Sequence, residues 1–448
     1  MATILFLAVG WWLMPRLFEA LPGQIRGRVP EPLVALLTTP LPTALPAPVE
    51  AGGVRHGAAV ADRVALQQPP NVPESLTATP TEQIGSRAKS TRRPVPPVVD
   101  AVATATATAL PTATPTVTPT PTPQLPASVW LEEVGVVPQK FNNCGPANLS
   151  LVLAFNGHAV DQLTIGAVIR PNYDDRNVSP NELVRFVEEE TPLRARALVA
   201  GDLQLLRRLL AAGLPVIVEK GLEDSQGWIG HYLTVVGYDQ ATTEFISMDT
   251  YLGPWDGSGR RDPFEEVDRL WAHFNRAFVL VYSPGEAERV AALLGPDFST
   301  PDAMWQRARL QAQTALLADP QDAFAWFNLG ASLTHLAELQ QEPALMVDSA
   351  TAFDEARRIG LPFRTLWYRF EPYRAYLEAG RLGEAITLAE AILSSSGGRD
   401  VEESYLYLGH ARRAQGDLEA AAAAYRRALQ LNSNLEEAAV SLSAISTD

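Results

Sequence analysis

The fold is decided by residues 136–153, which read VVPQKFNNCGPANLSLVL. Asn143 is a residue type that favours the N-cap of a helix, and Pro146 suits a first helical turn. The apolar residues that follow recur at helical spacing until residues 156–157, an Asn-Gly pair typical of a helix end. The pattern predicts a helix with Cys144 at its N-terminus, where the macrodipole and unpaired N–H groups favour a thiolate.

Cys144 is the only cysteine of the chain, which excludes an intrachain disulfide and any cysteine-rich metal site. A lone cysteine is more often a small buried hydrophobic residue than a nucleophile. Here two asparagines precede it and Gly-Pro follows it, and such a polar turn is a poor core environment. We therefore interpret Cys144 as a candidate nucleophile.

A thiolate nucleophile needs a base, and the base needs a group that orients it. Of the six histidines, His231 opens the run HYLTVVGYD, whose β-branched and aromatic residues predict a strand. A second such run, residues 244–249, ends in Asp249, and antiparallel pairing of the two strands would bring His231 and Asp249 together. Alone, Asp249 is typical of a turn. Together with Cys144 and His231 it completes a Cys-His-Asp set.

The order Cys144, His231, Asp249, with Pro-Gln shortly before Cys-Gly-Pro-Ala, resembles the papain-like cysteine peptidases. In particular it resembles the bacteriocin-leader (double-glycine) peptidase family and its stand-alone relatives, over roughly residues 129–284. The resemblance implies an α+β papain-like domain, assigned to residues 128–284, in which the helix carrying Cys144 packs on an antiparallel sheet. It also implies that Gln139 is an oxyanion donor, a role that the residues alone do not indicate.

The implied reaction is hydrolysis of a peptide bond in a peptide or protein substrate, with no cofactor and no metal. Classical members are fused to an ATP-driven exporter, but this chain has no Gly-x-x-x-x-Gly-Lys phosphate loop, so bacteriocin maturation is not expected. Two alternatives remain open. One is a non-catalytic adaptor that binds peptide, and the other is a transpeptidase or glutaminase-like acyl transferase that shares the first chemical steps.

Residues 285–448 shift in composition to Ala, Leu, Glu and Arg with a helical period, which predicts an all-α domain. Tyr405-x-x-Leu408-Gly409 followed by Ala421-x-x-x-Tyr425 is the best copy of a pattern that resembles the tetratricopeptide repeat. That resemblance implies a protein or peptide partner on the repeat array, which would recruit substrate. The alternative is a short array that only caps the peptidase domain.

The first 127 residues predict an anchor followed by a spacer. Residues 3–14, TILFLAVGWWLM, are too short to span a bilayer but typical of a signal-peptide core, so residues 1–22 are interpreted as a signal peptide or membrane anchor. Residues 37–127 hold 17 of the 36 prolines and no aromatic residue, a composition that cannot bury enough apolar surface to fold. We expect residues 23–127 to be a disordered Pro/Thr/Ala-rich linker with an apolar N-terminal helix before it.

An apolar start and a long Thr-Pro spacer predict an extracytoplasmic protein, membrane-anchored or secreted at the cell surface, with the N-terminal segment in the membrane. Arg16, Arg26 and Arg28 favour the opposite orientation, because basic residues beside an apolar segment tend to stay in the cytoplasm. A cytoplasmic topology is therefore the alternative.

The charge of the chain bears on its partners. The formal net charge is −15, and residues 128–448 carry 27 basic and 44 acidic side chains. Nucleic-acid binding requires Lys and Arg to neutralise phosphates, so an acidic folded region argues against nucleic acid as a partner.

Overall fold

The computed structural model describes residues 41–49, 125–224 and 227–446, together with Met14. Apart from Met14, the predicted signal peptide or anchor lies outside the described residues, as does most of the predicted linker. Among the helices in the described ranges, none combines the length and the apolar character that a membrane crossing requires.

The first part of the described chain is an α+β domain, as predicted. Its strands are β1 (Ser128–Trp130), β2 (Arg194–Leu198), β3 (Val216–Asp224), β4 (Gly227–Asp239), β5 (Glu244–Met248), β6 (Arg260–Pro263) and β7 (Phe278–Tyr282). Its helices are α1 (Cys144–Phe155), α2 (Gln162–Ile169), α3 (Pro180–Glu190), α4 (Leu203–Ala211) and α5 (Phe264–Ala272). Within the described residues the strands pair antiparallel throughout, in the order β2-β7-β3-β4-β5-β6, with β1 beside the end of β4.

Strand β4 is the longest of the sheet and positions the predicted base. Its first nine residues pair with β3, and its last residues pair with β5 on the opposite side. In the β4–β5 register Thr234 lies opposite Met248, so Asp249 is the first residue past the end of β5. His231 lies three residues before Thr234, and this register brings Asp249 within reach of the imidazole.

Helix α1 extends from Cys144 to Phe155, so the predicted helix is confirmed at both ends. Every residue from Gly145 to Leu153 is buried, which is expected for a helix that is apolar on all sides. Leu149, Val152 and Leu153 pack into one core with strand residues of the sheet. Burial against the sheet therefore holds the N-terminal turn of α1, and Cys144 with it, in a fixed position.

Asn143 lies at the N-cap position, but its side chain makes no capping bond. Its Nδ2 instead donates to the main-chain oxygen and to Oε1 of Gln162, both at 3.0 Å, and its Oδ1 accepts from Arg170 at 3.2 Å. Asn143 is thus the N-cap residue, as predicted, but its amide binds α2 and does not cap α1. Gly166 makes room for it, since a Cβ at that position would lie 2.8 Å from Asn143 Oδ1.

The rest of the described chain is helical, as predicted. The helices are α6 (Ala287–Leu294), α7 (Pro301–Ala318), α8 (Ala323–Gln340), α9 (Pro343–Ile359), α10 (Glu371–Glu378), α11 (Leu382–Leu393), α12 (Glu402–Ala414), α13 (Leu418–Leu431) and α14 (Glu436–Ser446), and a 3₁₀ helix (Phe363–Trp367) precedes α10. Gly330 and Gly409 each face an aromatic ring, because a Cβ would lie 2.8 Å from Phe353 and 2.4 Å from Tyr425. The Leu-Gly steps of the predicted repeats are thus places where two helices approach closely.

The helical region packs directly against the α+β domain. Trp228, Phe274 and Ala277 form an apolar cluster that Phe324 and Tyr368 of the helical region cover. Polar contacts surround this cluster: Arg307 Nε donates to the carbonyl of Ala200 at 2.9 Å, and Asn328 Nδ2 donates to the carbonyl of Ala272 at 2.7 Å. The region therefore caps an apolar face of the α+β domain.

Residues 41–49 belong to the predicted linker, yet they pack against the helical region. Leu45 is buried in the core of that region, and its N–H donates to the carbonyl of Leu361 at 2.9 Å. Over these nine residues the expectation of a disordered linker is wrong, since one buried side chain and several hydrogen bonds offset the entropy of ordering them.

A chain that ends at Pro284 should be markedly less stable than the full chain, because truncation exposes the cluster around Trp228 and Phe274. We expect a melting temperature at least about 5 °C lower and increased binding of a hydrophobic dye. A chain that ends at Asn434 removes only α14 and is the control. An unchanged melting temperature of the shorter chain would show that the α+β domain does not need its cap.

Candidate active site

Cys144 is the first residue of α1 and is partly exposed. The imidazole of His231 is the neighbouring group that most stabilises the charged form of its thiol. Burial raises the pKa of the Cys144 thiol, but the hydrogen bond and the positive charge of His231, with smaller contributions from backbone N–H groups, outweigh burial and leave the pKa below that of an ordinary thiol. The structure therefore favours a thiolate at this position.

His231 and Asp249 form a buried hydrogen-bonded pair. His231 Nε2 lies 3.0 Å from Asp249 Oδ1, and the two side chains are only 2% and 0% exposed. Because Nε2 is occupied by the carboxylate, Nδ1 is the ring nitrogen left for the thiol. Asp249 Oδ1 also accepts from the backbone N–H groups of Tyr251 at 2.9 Å and Leu252 at 2.8 Å.

Each member of this pair stabilises the charged form of the other. Burial lowers the pKa of His231, but the charge and hydrogen bond of Asp249 raise it more, to about 9. Burial likewise raises the pKa of Asp249, while His231 and the two backbone donors bring it down to about 2. Near neutral pH the carboxylate is ionised and the imidazole is protonated, and this imidazolium stabilises the thiolate form of Cys144.

Gln139 is held by Thr250, the residue after Asp249. The N–H of Gln139 donates to the carbonyl of Thr250 at 2.8 Å, and the Thr250 hydroxyl donates to Gln139 Oε1 at 3.0 Å. Since the oxygen end of the amide is bound to Thr250, the orientation of the Nε2 end is fixed as well. Gln139 thus has a defined orientation, which an exposed glutamine before a helix would lack.

Asn148 is hydrogen-bonded to the α1 turn, to strand β4 and to Thr250, and it was not predicted from the sequence. It is fully buried on α1, and its Nδ2 lies 2.9 Å from the carbonyl of Cys144, 2.8 Å from the carbonyl of Tyr232 and 3.2 Å from the Thr250 hydroxyl. Its Oδ1 accepts from the Thr234 hydroxyl at 2.8 Å. The available signal was an amide inside an otherwise apolar helix, because a buried amide must find hydrogen-bond partners.

A small, open pocket lies beside Cys144. Its walls come from the α1 turn, the loop before α3, strands β3 and β4, and the helical region. The residues that line it include Asn177, Glu219, Gly230, Tyr232 and Tyr368. Tyr368 is the contribution of the helical region, and its ring lies 3.0 Å from the position that a Cβ on Gly230 would occupy.

Glu219 is an unusual residue for a central strand, and it was also missed. The side chain is 4% exposed, and burial raises its pKa to about 8, although the charge of Arg369 acts in the opposite direction. At neutral pH the carboxyl is therefore mostly protonated and able to donate a hydrogen bond into the pocket. The signal in the sequence was a glutamate between Val218 and Lys220 in a strand that is apolar before it.

The other described histidines lie outside this site. His273 stacks on Phe324 with ring centroids 3.9 Å apart, and His335 stacks on Trp305 at the same separation. Burial lowers the pKa of both to about 4, so they are neutral at physiological pH. In the described ranges no three or more His, Cys, Asp or Glu side chains are grouped so as to hold a metal ion.

This arrangement agrees with what comparison with known families finds. Residues 126–278 match the model of the Peptidase_C39 like family. The match covers the α+β domain, from the residues before β1 to the start of β7, and includes all four predicted site residues. The match ends before the helical region, so the assignment of that region as tetratricopeptide repeats stays a prediction.

Two solved structures are similar to about a third of this chain. A C39-like peptidase from Bacillus anthracis is 18% identical, with a TM-score of 0.29, and the match covers 35% of this chain and 98% of that chain. The peptidase domain of Streptococcus ComA, a bifunctional ABC transporter of a quorum-sensing pathway, is also 18% identical, with a TM-score of 0.26, covering 34% and 98%. No curated protein matches this chain.

Cys144 should react with iodoacetamide as a low-pKa thiol. Because Cys144 is the only cysteine, the labelling rate reports on it alone. We expect a rate–pH midpoint below the value of about 8.5 for a free thiol, and a higher midpoint in His231→Gln, which removes the imidazolium. The denatured chain is the control. A native chain that follows the denatured curve would contradict the thiolate assignment.

Proposed function

We propose that this chain is a cysteine peptidase in which Cys144 is the nucleophile, His231 the general base and acid, and Asp249 the group that orients His231. The observation that carries the proposal is a thiol at a helix N-terminus whose pKa is lowered by an imidazole, with that imidazole bound to a buried carboxylate. Such a nucleophile–base–orienter set is what acyl transfer requires.

The first step is attack of the Cys144 thiolate on the carbonyl carbon of a peptide bond. The negative charge that develops on the carbonyl oxygen is stabilised by the Cys144 N–H and by Gln139 Nε2, a contribution of about 3 kcal/mol per donor in related chemistry. The imidazolium of His231 then gives its proton to the leaving amine, and a thioester remains on Cys144.

Water completes the reaction. His231, now neutral, accepts a proton from a water molecule that attacks the thioester, and Cys144 leaves again as a thiolate. Asp249 remains ionised throughout, because His231 and the two backbone donors hold its pKa near 2. Asn148 and Thr250 act indirectly, since their hydrogen bonds hold the α1 turn and Gln139 in register.

The pocket beside Cys144 supports binding of a peptide. Within the part of the chain that the structure describes, Asn177 Nδ2 is buried without a hydrogen-bond partner, and the Glu219 carboxyl lines the same pocket. Both can donate to the carbonyl oxygens of a substrate. Tyr368 closes the pocket, so the helical region takes part in substrate binding as well as in capping the domain.

The deciding experiment is mass spectrometry of a diverse peptide library incubated with the full-length chain. We expect new peptide termini with the wild type and none with Cys144→Ala, which keeps the fold but lacks the thiolate. Binding of peptides without cleavage would favour the adaptor. Transfer of the acyl group to an added amine in preference to water would favour the transpeptidase.

Asp249→Asn should lower turnover by orders of magnitude, because the amide lacks the negative charge that stabilises the imidazolium. The rate should also depend on pH. His231 acts as an imidazolium, which it is below its pKa of about 9, so the wild-type rate should fall above pH 9. Loss of the carboxylate charge lowers that pKa and moves the decline to lower pH.

Asp262→Asn is the matched control for this variant, since Asp262 is a buried aspartate of the same sheet that is bonded to Arg260. It should retain the wild-type pH profile. An Asp249→Asn variant with most of its activity would mean that another group orients His231.

We further propose that the peptidase is exported and tethered to the membrane by residues 1–22, with a repeat array that binds a protein partner. The apolar run of residues 3–14 and the Pro/Thr composition that follows it support export. The Leu-Gly steps at which helices approach closely support the repeat interpretation.

Protease added to intact cells should therefore digest this protein, because export places residues beyond about 40 outside the membrane. The readout is loss of full-length protein on an immunoblot, with a cytoplasmic protein as control. Full protection until the cells are lysed would contradict export and favour the orientation suggested by Arg16, Arg26 and Arg28.

A further inference from the structure

The contact between residues 41–49 and the helical region has the form of a bound peptide. The segment reads LPTALPAPV and contains three prolines. The N–H of Leu45 donates to the carbonyl of Leu361 at 2.9 Å, and the N–H of Phe363 donates to the carbonyl of Thr43 at 3.3 Å. Ala44 and Pro362 lie opposite each other as an antiparallel bridge. This main-chain pairing selects an extended conformation.

Leu45 is the side chain that anchors the segment. It is 5% exposed and lies in the same apolar core as Leu361 and Phe363. Pro42, Thr43, Ala47 and Val49 are exposed. Leu41 packs against the same core, and Ala44, Pro46 and Pro48 are half-buried. The segment is therefore held by apolar contacts at its two leucines and by its main chain, as a docked extended peptide is.

Arg357 holds the carbonyl groups of the second half of the segment. Its Nε donates to the carbonyl of Pro46 at 2.9 Å, and one guanidinium nitrogen donates to the carbonyl of Ala47 at 3.1 Å. Proline-rich extended chains make no internal hydrogen bonds, so their carbonyl oxygens are available to such a donor. Glu384 adds a further contact, because its Oε1 accepts from the N–H of Val49 at 2.9 Å.

The helical region orients Arg357 without help from the segment. The other guanidinium nitrogen donates to Glu384 Oε2 and to the Tyr376 hydroxyl, both at 2.9 Å. The Arg357 side chain is buried and is paired with a nearly buried carboxylate. A preorganised donor of this kind loses little conformational entropy when a ligand binds.

We propose that Arg357, Glu384 and residues 361–363 form a binding site, the Arg357 site, for extended proline-containing peptides with a leucine anchor. Residues 41–49 occupy this site in cis as a releasable internal ligand. A partner protein that presents a segment of the same chemistry competes for the site, and the internal segment raises the affinity that such a partner needs. Intramolecular ligands on long linkers act at effective concentrations of about millimolar or below.

The test is binding of a fluorescent peptide, LPTALPAPV, to the full-length chain, measured by fluorescence anisotropy. In the wild type the internal segment competes, so we expect little binding. Leu45→Asp releases that segment, and the peptide should then bind at least tenfold more tightly. Thr43→Asp is the matched control, because it adds the same charge at an exposed position of the segment and should behave as the wild type. A peptide with Asp in place of its second leucine should not bind.

Absence of peptide binding to Leu45→Asp would overturn the proposal. Loss of the helical circular-dichroism signal in that variant would overturn it as well, because the segment would then be a structural element of the helical region.

A second measurement does not depend on that variant. A protease site placed in the linker between residues 67 and 68 separates residues 41–49 from the helical region after cleavage. We expect excess LPTALPAPV to displace the N-terminal fragment, whereas a fragment that remains bound in excess peptide would contradict a releasable ligand.

Discussion

The arrangement of the site in the α+β domain depends on the hydrogen bond between His231 and Asp249. An imidazole and a carboxylate this deeply buried are stable only if each supplies the other's partner, since an unpaired buried charge is strongly destabilising. The pair forms because the β4–β5 register places Asp249 directly past the strand end, where two backbone N–H groups also reach it. The raised pKa of His231 then lowers that of Cys144, so one register determines the charge state of the whole site.

Much of this arrangement could be predicted from the sequence, because local patterns determine it. The helix that starts at Cys144 and the strands that carry His231 and precede Asp249 follow from periodicity and turn residues. The chain order of the site residues predicted their association. The side chain of Asn143 does not cap α1, because the neighbouring helix α2 offers hydrogen-bond partners for its amide.

What could not be predicted depends on contacts between distant parts of the chain. Glu219 acquires its raised pKa only because other elements bury it, and Asn148 is satisfied by residues more than eighty positions away. Tyr368 reaches the pocket because the helical region folds back on the α+β domain. Composition identified the proline-rich stretch as unable to fold by itself, but it contained no information about a site elsewhere that would order nine of its residues.

The docking of residues 41–49 changes the mechanical layout of the protein. A chain spans at most about 3.5 Å per residue, so the roughly 105 residues between the proposed anchor, residues 1–22, and the α+β domain would reach several hundred ångströms. With residues 41–49 held on the helical region, only about 18 residues separate the proposed anchor from the folded part, a tether of at most about 63 Å. Release of the segment would extend this reach roughly sixfold, so the contact that fills the Arg357 site would also set how far from the proposed anchor the α+β domain can lie.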